Sequence, residues 1–482
     1  MSITIFGAIL VIIILCFLFK SGSVKKFYYY MLFLTLFVTL NVRMGYFASV
    51  GSTYLHYDNF LVYTTFLSSL PLFLKNSSLK LREFCVTICF FSVIGLGLLY
   101  NVAFPYQEGV VTYDWETYVR RTGNPISYLD SSSPKIGYYL MFICIVFIIL
   151  IAKKNFTKND WITLLHRLIS INKVSIILGT IEFVFANLFK SRIITDIFIK
   201  IFGEFGVQQN WLVSRGGLFT IQGATKEASM YTTVIFYIAV LLLVEMSFSK
   251  KHKKTDCIWL IASVVLLLLN PALSSVIYLL SLAIIFYTLE IINLKKGKKR
   301  RYENTTTKKG LIYIALSSVI LLALLYNYSE VLASSNNYII RRIGFAFKQL
   351  EIIWNYGVSY TISSEAIRFT GIITDIKLLL NRPLLGFGLG ALTCNSGVVT
   401  LLIGVGIVGF AAWYAIYFML CFEKKNVKHI VLFWGVMIIP NIIQNELLTI
   451  MCMVIPICCI LIEIGEKETM HESNKCYLKY CH

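Results

Sequence analysis

Apolar runs of membrane-spanning length recur along this 482-residue chain from residue 3 to residue 463, each bounded by charge or glycine. No other feature constrains the fold as tightly. A helix needs about 20 apolar residues to cross the ~30 Å hydrocarbon core of a bilayer. Backbone N–H and C=O groups cannot be left unpaired in lipid, so these runs are predicted to be helices. Thirteen are expected, over 3–19, 27–42, 56–74, 84–104, 134–152, 174–189, 229–249, 257–270, 272–292, 311–326, 396–420, 430–445 and 447–464. The pairs within 257–292 and 430–464 are divided only by short polar points, Asn270-Pro271 and Asn441 to Glu446. With 57% hydrophobic and 14% charged residues, the chain is too apolar for a soluble protein of this length. Residues 3–19 lack a basic leading region and a small-residue cleavage pattern, so they are expected to be a retained first span.

Charge placement gives an independent count, because cytoplasmic loops collect Lys and Arg. With the amino terminus outside, the inner segments are 20–26, 75–83, 153–173, 250–256, 293–310, 421–429 and the tail from 465. Together they hold 29 of the 44 Lys and Arg residues. Removing either span between them, 257–270 or 272–292, would put KHKK and KKGKKRR on opposite sides, and with the amino terminus outside and the tail inside an odd number of spans is expected. The net charge of +19 is then an orientation signal that also meets anionic membrane lipids, and no nucleic-acid partner is expected.

The expected fold is therefore an all-α polytopic membrane protein, one integral membrane domain over 1–482 with its carboxyl terminus cytoplasmic. Outer loops are expected at 105–133, 190–228 and 327–392. The twelve cysteines suggest no disulfide framework, since Cys16, Cys85, Cys89, Cys144, Cys452, Cys458 and Cys459 all fall within spans, where cysteine serves as a small hydrophobe. The six scattered histidines suggest no metal set, and no cofactor is expected.

Loop 105–133 mixes Glu108, Asp114, Glu116 and Asp130 with Tyr113, Trp115 and Tyr118. Such a mixture suits either sugar stacking or interfacial anchoring. Loop 190–228 ends in WLVSRGGLFTIQGATKEAS, where Arg215, Gly216, Gly217 and Gly223 permit a tight backbone path. It either returns partway into the membrane under cover of protein or stops at the headgroups.

Loop 327–392 is the largest. Its stretch SSNNYIIRRIGFAFKQLEIIW has apolar residues at helical spacing behind Arg341 and Arg342, as a helix lying on the surface would. A second helical pattern between Ala366 and Leu380 carries Arg368 and Asp375, with Glu365 just before it and Arg382 just after. Pro383 stops that helix, and Gly386, Gly388 and Gly390 form a flexible bend. Asn395 leads into a span whose Gly404, Gly406 and Gly409 are expected to allow close helix contact.

The glycine alternation alone is a weak phosphate signal, without the lysine of a P-loop. Arginine is the stronger one, because guanidinium offers a rigid fork of donors and stays charged in a poorly solvated cleft. Arg215 and Arg368 are the leading pyrophosphate-binding candidates, with Arg341 or Arg342 third. Each has an ion-pairing alternative with Glu227, Glu365 or Asp375. Glu182 is the deepest ionisable residue, either a packing partner for an arginine on a neighbouring helix or part of the site.

The C-terminal module, Arg368 followed by an amphipathic helix, PLLGFGLG, Asn395 and GVVTLLIGVGIVGF, resembles the O-antigen polymerase and O-antigen ligase superfamily of polytopic bacterial polysaccharide polymerases. Arg215-Gly216-Gly217-Leu218-Phe219 followed by Lys226-Glu227-Ala228 is similar to a second pattern of that family. The likeness covers roughly residues 200–465.

The resemblance implies a metal-independent glycosyltransferase at the outer face of the bacterial cytoplasmic membrane. Its substrates would be undecaprenyl-pyrophosphate-linked oligosaccharides, joined into O-antigen, capsular or exopolysaccharide chains. A repeat-unit flippase and a chain-length regulator are the implied partners. A ligase would carry a histidine in the large outer loop, and none occurs between His252 and His429, which favours polymerase over ligase. In this expectation Arg215 and Arg368 hold the pyrophosphate, assisted by Arg341 or Arg342. Glu227, or else Glu365 or Asp375, orients or deprotonates the acceptor hydroxyl, and Arg382 and Asn395 line the substrate site. A polysaccharide flippase is the nonenzymatic alternative.

Overall fold

The structure is a computed structural model that describes residues 2–42, 45–51, 53–75, 81–104, 109–113, 120–125, 133–203, 214–215, 218–225, 228–248, 254–270, 327–336, 340–341, 344, 372, 375–389, 396–421, 441, 453–454 and 456–461, with parts of 274–286.

Thr4 begins the first helix: its hydroxyl accepts the Gly7 N–H at 3.0 Å, one of the amides that a helix start leaves without an internal partner. That helix, α1 (Ile5–Ser21), ends at Gly22 in the left-handed region. The next residue, Ser23, caps α2 (Val24–Asn41), so two residues turn the chain back on itself. Strands β1 (Ser2–Ile3), β2 (Ala48–Val50) and β3 (Thr53–Leu55) form a small antiparallel sheet beside the start of α1, in the order β1-β2-β3. The helices α3 (Tyr57–Lys75), α4 (Leu81–Ala103) and α5 (Ser133–Asn155) follow, with a hairpin of β4 (Gly109–Tyr113) and β5 (Arg120–Pro125) between the last two. Then come α6 (Lys158–Asn187), α7 (Ile193–Phe202), the hairpin of β6 (Ser214–Arg215) and β7 (Leu218–Phe219), α8 (Ala228–Phe248) and α9 (Lys254–Leu269). A one-turn helix, Ser329–Ala333, and α10 (Gly397–Cys421) complete the described elements.

The fold is mostly helical. Among the described residues, Glu83–Ala103, Lys158–Asn187 and Gly397–Tyr417 are helices long and apolar enough to cross a membrane. Shorter apolar helices occupy Ile5–Ser21, Met230–Met246 and Thr255–Leu269. Interhelical hydrogen bonds tie the core where lipid would offer no competing partner. Tyr28 donates to the Ile148 carbonyl at 2.6 Å, Thr35 and Thr65 bond at 2.6 Å, and Thr233 bonds the Tyr278 hydroxyl at 2.6 Å.

Helix α6 departs from the sequence expectation. Residues 153–173 read as an inner segment, yet α5 runs to Asn155 and α6 starts at Lys158, leaving only Phe156 and Thr157 between them. A reciprocal capping box explains the early start: Thr157 N–H donates to Asp160 at 2.8 Å, and Asp160 N–H donates to the Thr157 hydroxyl at 3.3 Å. The polar residues that masked this helix are paired: Asp160 with Lys25 at 2.7 Å, His166 with Glu245 at 2.8 Å and Lys173 with Asp256 at 2.9 Å.

Lys25 to Asp160 and Lys154 to Glu83, at 2.7 and 3.3 Å, join the segments 20–26, 75–83 and the α5–α6 junction at one end of the bundle, while Lys173 lies about 20 Å further along α6. Lys153 adds the end of α10 by donating to the Met419 carbonyl at 3.0 Å. The opposite end gathers the start of α1, residues 45–57 and the end of α7. There Tyr57 bonds Thr4 at 2.5 Å and the Phe202 carbonyl at 2.9 Å.

Candidate functional site

Two segments at that opposite end are folded inward, and different helices hold them. The first is 214–225. Arg215 pairs with Leu218 and Ser214 with Phe219, so the hairpin closes within two residues. Asn187, the last residue of α6, acts like a neighbouring strand. Its amide donates to the Phe219 carbonyl at 3.3 Å, and its oxygen accepts the Phe219 N–H at 2.8 Å.

From Phe219 the chain goes deeper. Glu182, five residues before the end of α6 and therefore about 7.5 Å down the helix axis, accepts the Gly223 N–H at 2.6 Å and the Gln222 N–H at 3.1 Å. Thr195 on α7 donates to the same carboxylate at 3.3 Å. Gly223 turns the chain with φ of +57°, and Thr225 closes the turn by donating its hydroxyl to the Gln222 carbonyl at 2.6 Å. The turn is covered on every side: Ile221, Gln222 and Thr225 are buried.

Asn270, at the end of α9, fixes the return path by donating to the carbonyls of Ile221 at 3.1 Å and Ala228 at 3.3 Å. The ring of Tyr231 lies against Gly223, where a Cβ would come within 2.6 Å of it. Its hydroxyl donates to the Ser175 carbonyl at 2.9 Å. Below it Ser175 bonds Asn41, whose amide donates to Asn172 at 2.7 Å. A chain of hydrogen bonds thus runs from Tyr231 through Ser175 and Asn41 to Asn172. Glu182 has backbone amides and a hydroxyl as partners, and among the described residues no arginine is recorded at its carboxylate.

The second segment is 382–389. Residues 375–379 are helical and the helix ends at Leu379, four residues before Pro383; Gly386 and Gly388 then bend the chain with φ of +64° and +94°. The bend docks into a break in α10, where Gly406 has φ of +68°. An unbroken helix would bond Ile407 to Ile403 and Val408 to Gly404. Here Phe387 and Gly388 donate to the Ile403 and Gly404 carbonyls at 2.8 Å each. Ile407 and Val408 donate to the Pro383 and Leu384 carbonyls at 2.8 and 3.2 Å. The segment replaces these two helix bonds one for one, so the four backbone groups they involve keep partners. Gly404 and Gly406 therefore make room for a loop, which corrects the expectation that they serve helix contact: the backbone of Leu384 touches Gly406, and Leu389 touches Gly404.

Arg382 anchors the same segment to α4. Its guanidinium donates to Asn101 at 2.5 Å and to the Phe104 carbonyl at 2.5 Å, between the rings of Tyr100 and Phe387. That geometry suits a clamp on the helix end, with two directions of the guanidinium fork already engaged. Asp375 lies on the short helix, and Arg341 is partly buried near the Ser329–Ala333 turn. Gly344 packs on that turn, where a Cβ would lie 2.2 Å from the Ala333 nitrogen.

Arg215 is described by its backbone alone, and Glu227, Arg342, Glu365, Arg368 and Asn395 lie outside the described residues. The described geometry thus holds the segment that carries Arg215 and leads to Glu227, and separately the segment that follows Arg368. Sequence reading missed Asn101, Asn187 and Asn270. Each is an asparagine at the end of an apolar run, and side-chain amides there are ready partners for loop backbone. Among the described residues, no three His, Cys, Asp or Glu side chains are grouped to hold a metal ion. No protein-family model matches this chain, and no curated protein does.

Proposed function

We propose that the chain is a thirteen-span polymerase that joins undecaprenyl-pyrophosphate-linked oligosaccharide repeat units at the outer face of the bacterial cytoplasmic membrane. One observation carries the reading: residues 218–225 return among the helices on a built set of hydrogen bonds from Asn187, Glu182 and Asn270. A loop that only linked two spans would have no need of a buried, polar-lined turn. This one begins at Arg215 and ends two residues before Glu227.

Displacing pyrophosphate from an anomeric carbon needs little more than charge stabilisation on the leaving group and an oriented acceptor hydroxyl. Arg215 and Arg368 supply the first in this reading, with Arg341 or Arg342 assisting, and Glu227 supplies the second. In the same orientation the ion-paired end of the bundle is cytoplasmic. Repeat-unit supply by a flippase and control by a chain-length regulator belong to this proposal as well.

A flippase is the second reading, and the hydrogen-bonded chain from Tyr231 through Ser175 to Asn41 and Asn172 is the observation that favours it. Cells carrying Arg368→Ala at normal protein level are expected to lose polymer length and yield. Unchanged polymer would remove Arg368 from the site.

A further inference from the structure

Glu182 is a carboxylate with its side chain buried inside the bundle and two backbone amides aimed at it, one at each oxygen. Oε1 accepts from Gln222 N–H at 3.1 Å and from Thr195 at 3.3 Å, and Oε2 accepts from Gly223 N–H at 2.6 Å. Both oxygens must therefore be acceptors. A carboxyl group can accept at both oxygens, whereas the nitrogen of a carboxamide accepts nothing. A glutamine of the same shape would turn its NH2 group toward one of the backbone N–H groups, donor against donor, whichever way it flipped.

We propose that Glu182 is a positioning residue: its carboxyl group locks the turn at Gln222 and Gly223 and so sets the geometry of the flanking segments that carry Arg215 and Glu227. The catalytic half of this statement rests on the polymerase reading; the lock itself does not. Gly223 completes the device. Its φ of +57° and the Tyr231 ring beneath it leave no room for a side chain, so the amide is held toward Glu182.

The test uses the full chain in lipid nanodiscs, with hydrogen exchange followed by peptide. Glu182→Gln is expected to raise exchange over residues 219–225 by about 10- to 100-fold, the ratio that leaving a buried amide N–H unpaired corresponds to, while peptides of α2 and α3 stay protected. Unchanged exchange over 219–225 would overturn the lock. Should Glu182→Gln loosen the whole bundle, Gly223→Ala decides instead, since it displaces the amide and keeps the carboxylate. It is expected to loosen 219–225 locally, and protection equal to wild type would count against the proposal.

Turnover of lipid-linked repeat units separates the two halves. A fall in kcat with KM within about twofold for Glu182→Gln supports positioning. Full turnover with a loosened turn overturns it. Absence of turnover in the wild type sinks the polymerase reading and leaves exchange to decide the lock.

Discussion

Arg382 donates to the Oδ1 of Asn101 across 281 positions of sequence, at 2.5 Å, while the same asparagine's amide donates to the Gly386 carbonyl at 3.1 Å. The two residues close a ring that joins the end of α4 to the bend in the large loop. Arg382→Ala is expected to lower stability by about 1–3 kcal/mol, the range for hydrogen bonds to a charged group. Arg382→Lys is expected to restore little of it, because an ammonium lacks the planar fork that reaches Asn101 and Phe104 together. Thermal unfolding in detergent measures both. A lysine variant as stable as wild type would show that charge alone matters there.

The break in α10 makes a graded prediction for three glycines. A Cβ at Gly386 would sit 2.2 Å from the Ile403 carbonyl oxygen, and one at Gly406 would sit 2.3 Å from the Leu384 oxygen. A Cβ at Gly388 would meet nothing within 4 Å. Gly386→Ala and Gly406→Ala are therefore expected to abolish folded protein. Gly388→Ala carries only the strain of its positive φ, about 1–2 kcal/mol. Yield of monodisperse protein after purification ranks them, and equal yields for all three would contradict the docking.

Lys173 and Asp256 form a pair between α6 and α9 whose carboxylate is almost fully buried, 6% exposed. Removing one partner strands the other charge, so Asp256→Ala is expected to cost about 3 kcal/mol. The double variant Lys173→Met/Asp256→Leu is expected to recover most of it, since two apolar side chains leave nothing unpaired. Melting temperatures of the single and double variants test this. Additive losses would show that the two residues act independently.

Most helix positions were legible because length and apolarity suffice to locate a span. The runs 3–19, 56–74, 229–249 and 396–420 are observed as Ile5–Ser21, Tyr57–Lys75, Ala228–Phe248 and Gly397–Cys421. The first half of α6 was hidden because its charges and His166 find partners on three other segments, and pairing between distant segments leaves no local trace. The break at Gly406 was hidden for a related reason: the bonds that repair it come from residues 383–388. Proline and glycine marked the bend itself, through the conformations only they favour. For the site, the glycines at 216, 217 and 223 pointed to an inward path. The role of Glu182 as its anchor depended on where Thr195 and Gly223 fold, which a single sequence does not encode.

Purified protein reconstituted in vesicles with lipid-linked repeat units from the producing cell tests the central claim most directly. Glycans two or more repeats long on the lipid carrier are expected with the wild type, and loss of that growth with Arg215→Ala or Arg368→Ala. Repeat units that cross the bilayer without growing would contradict it.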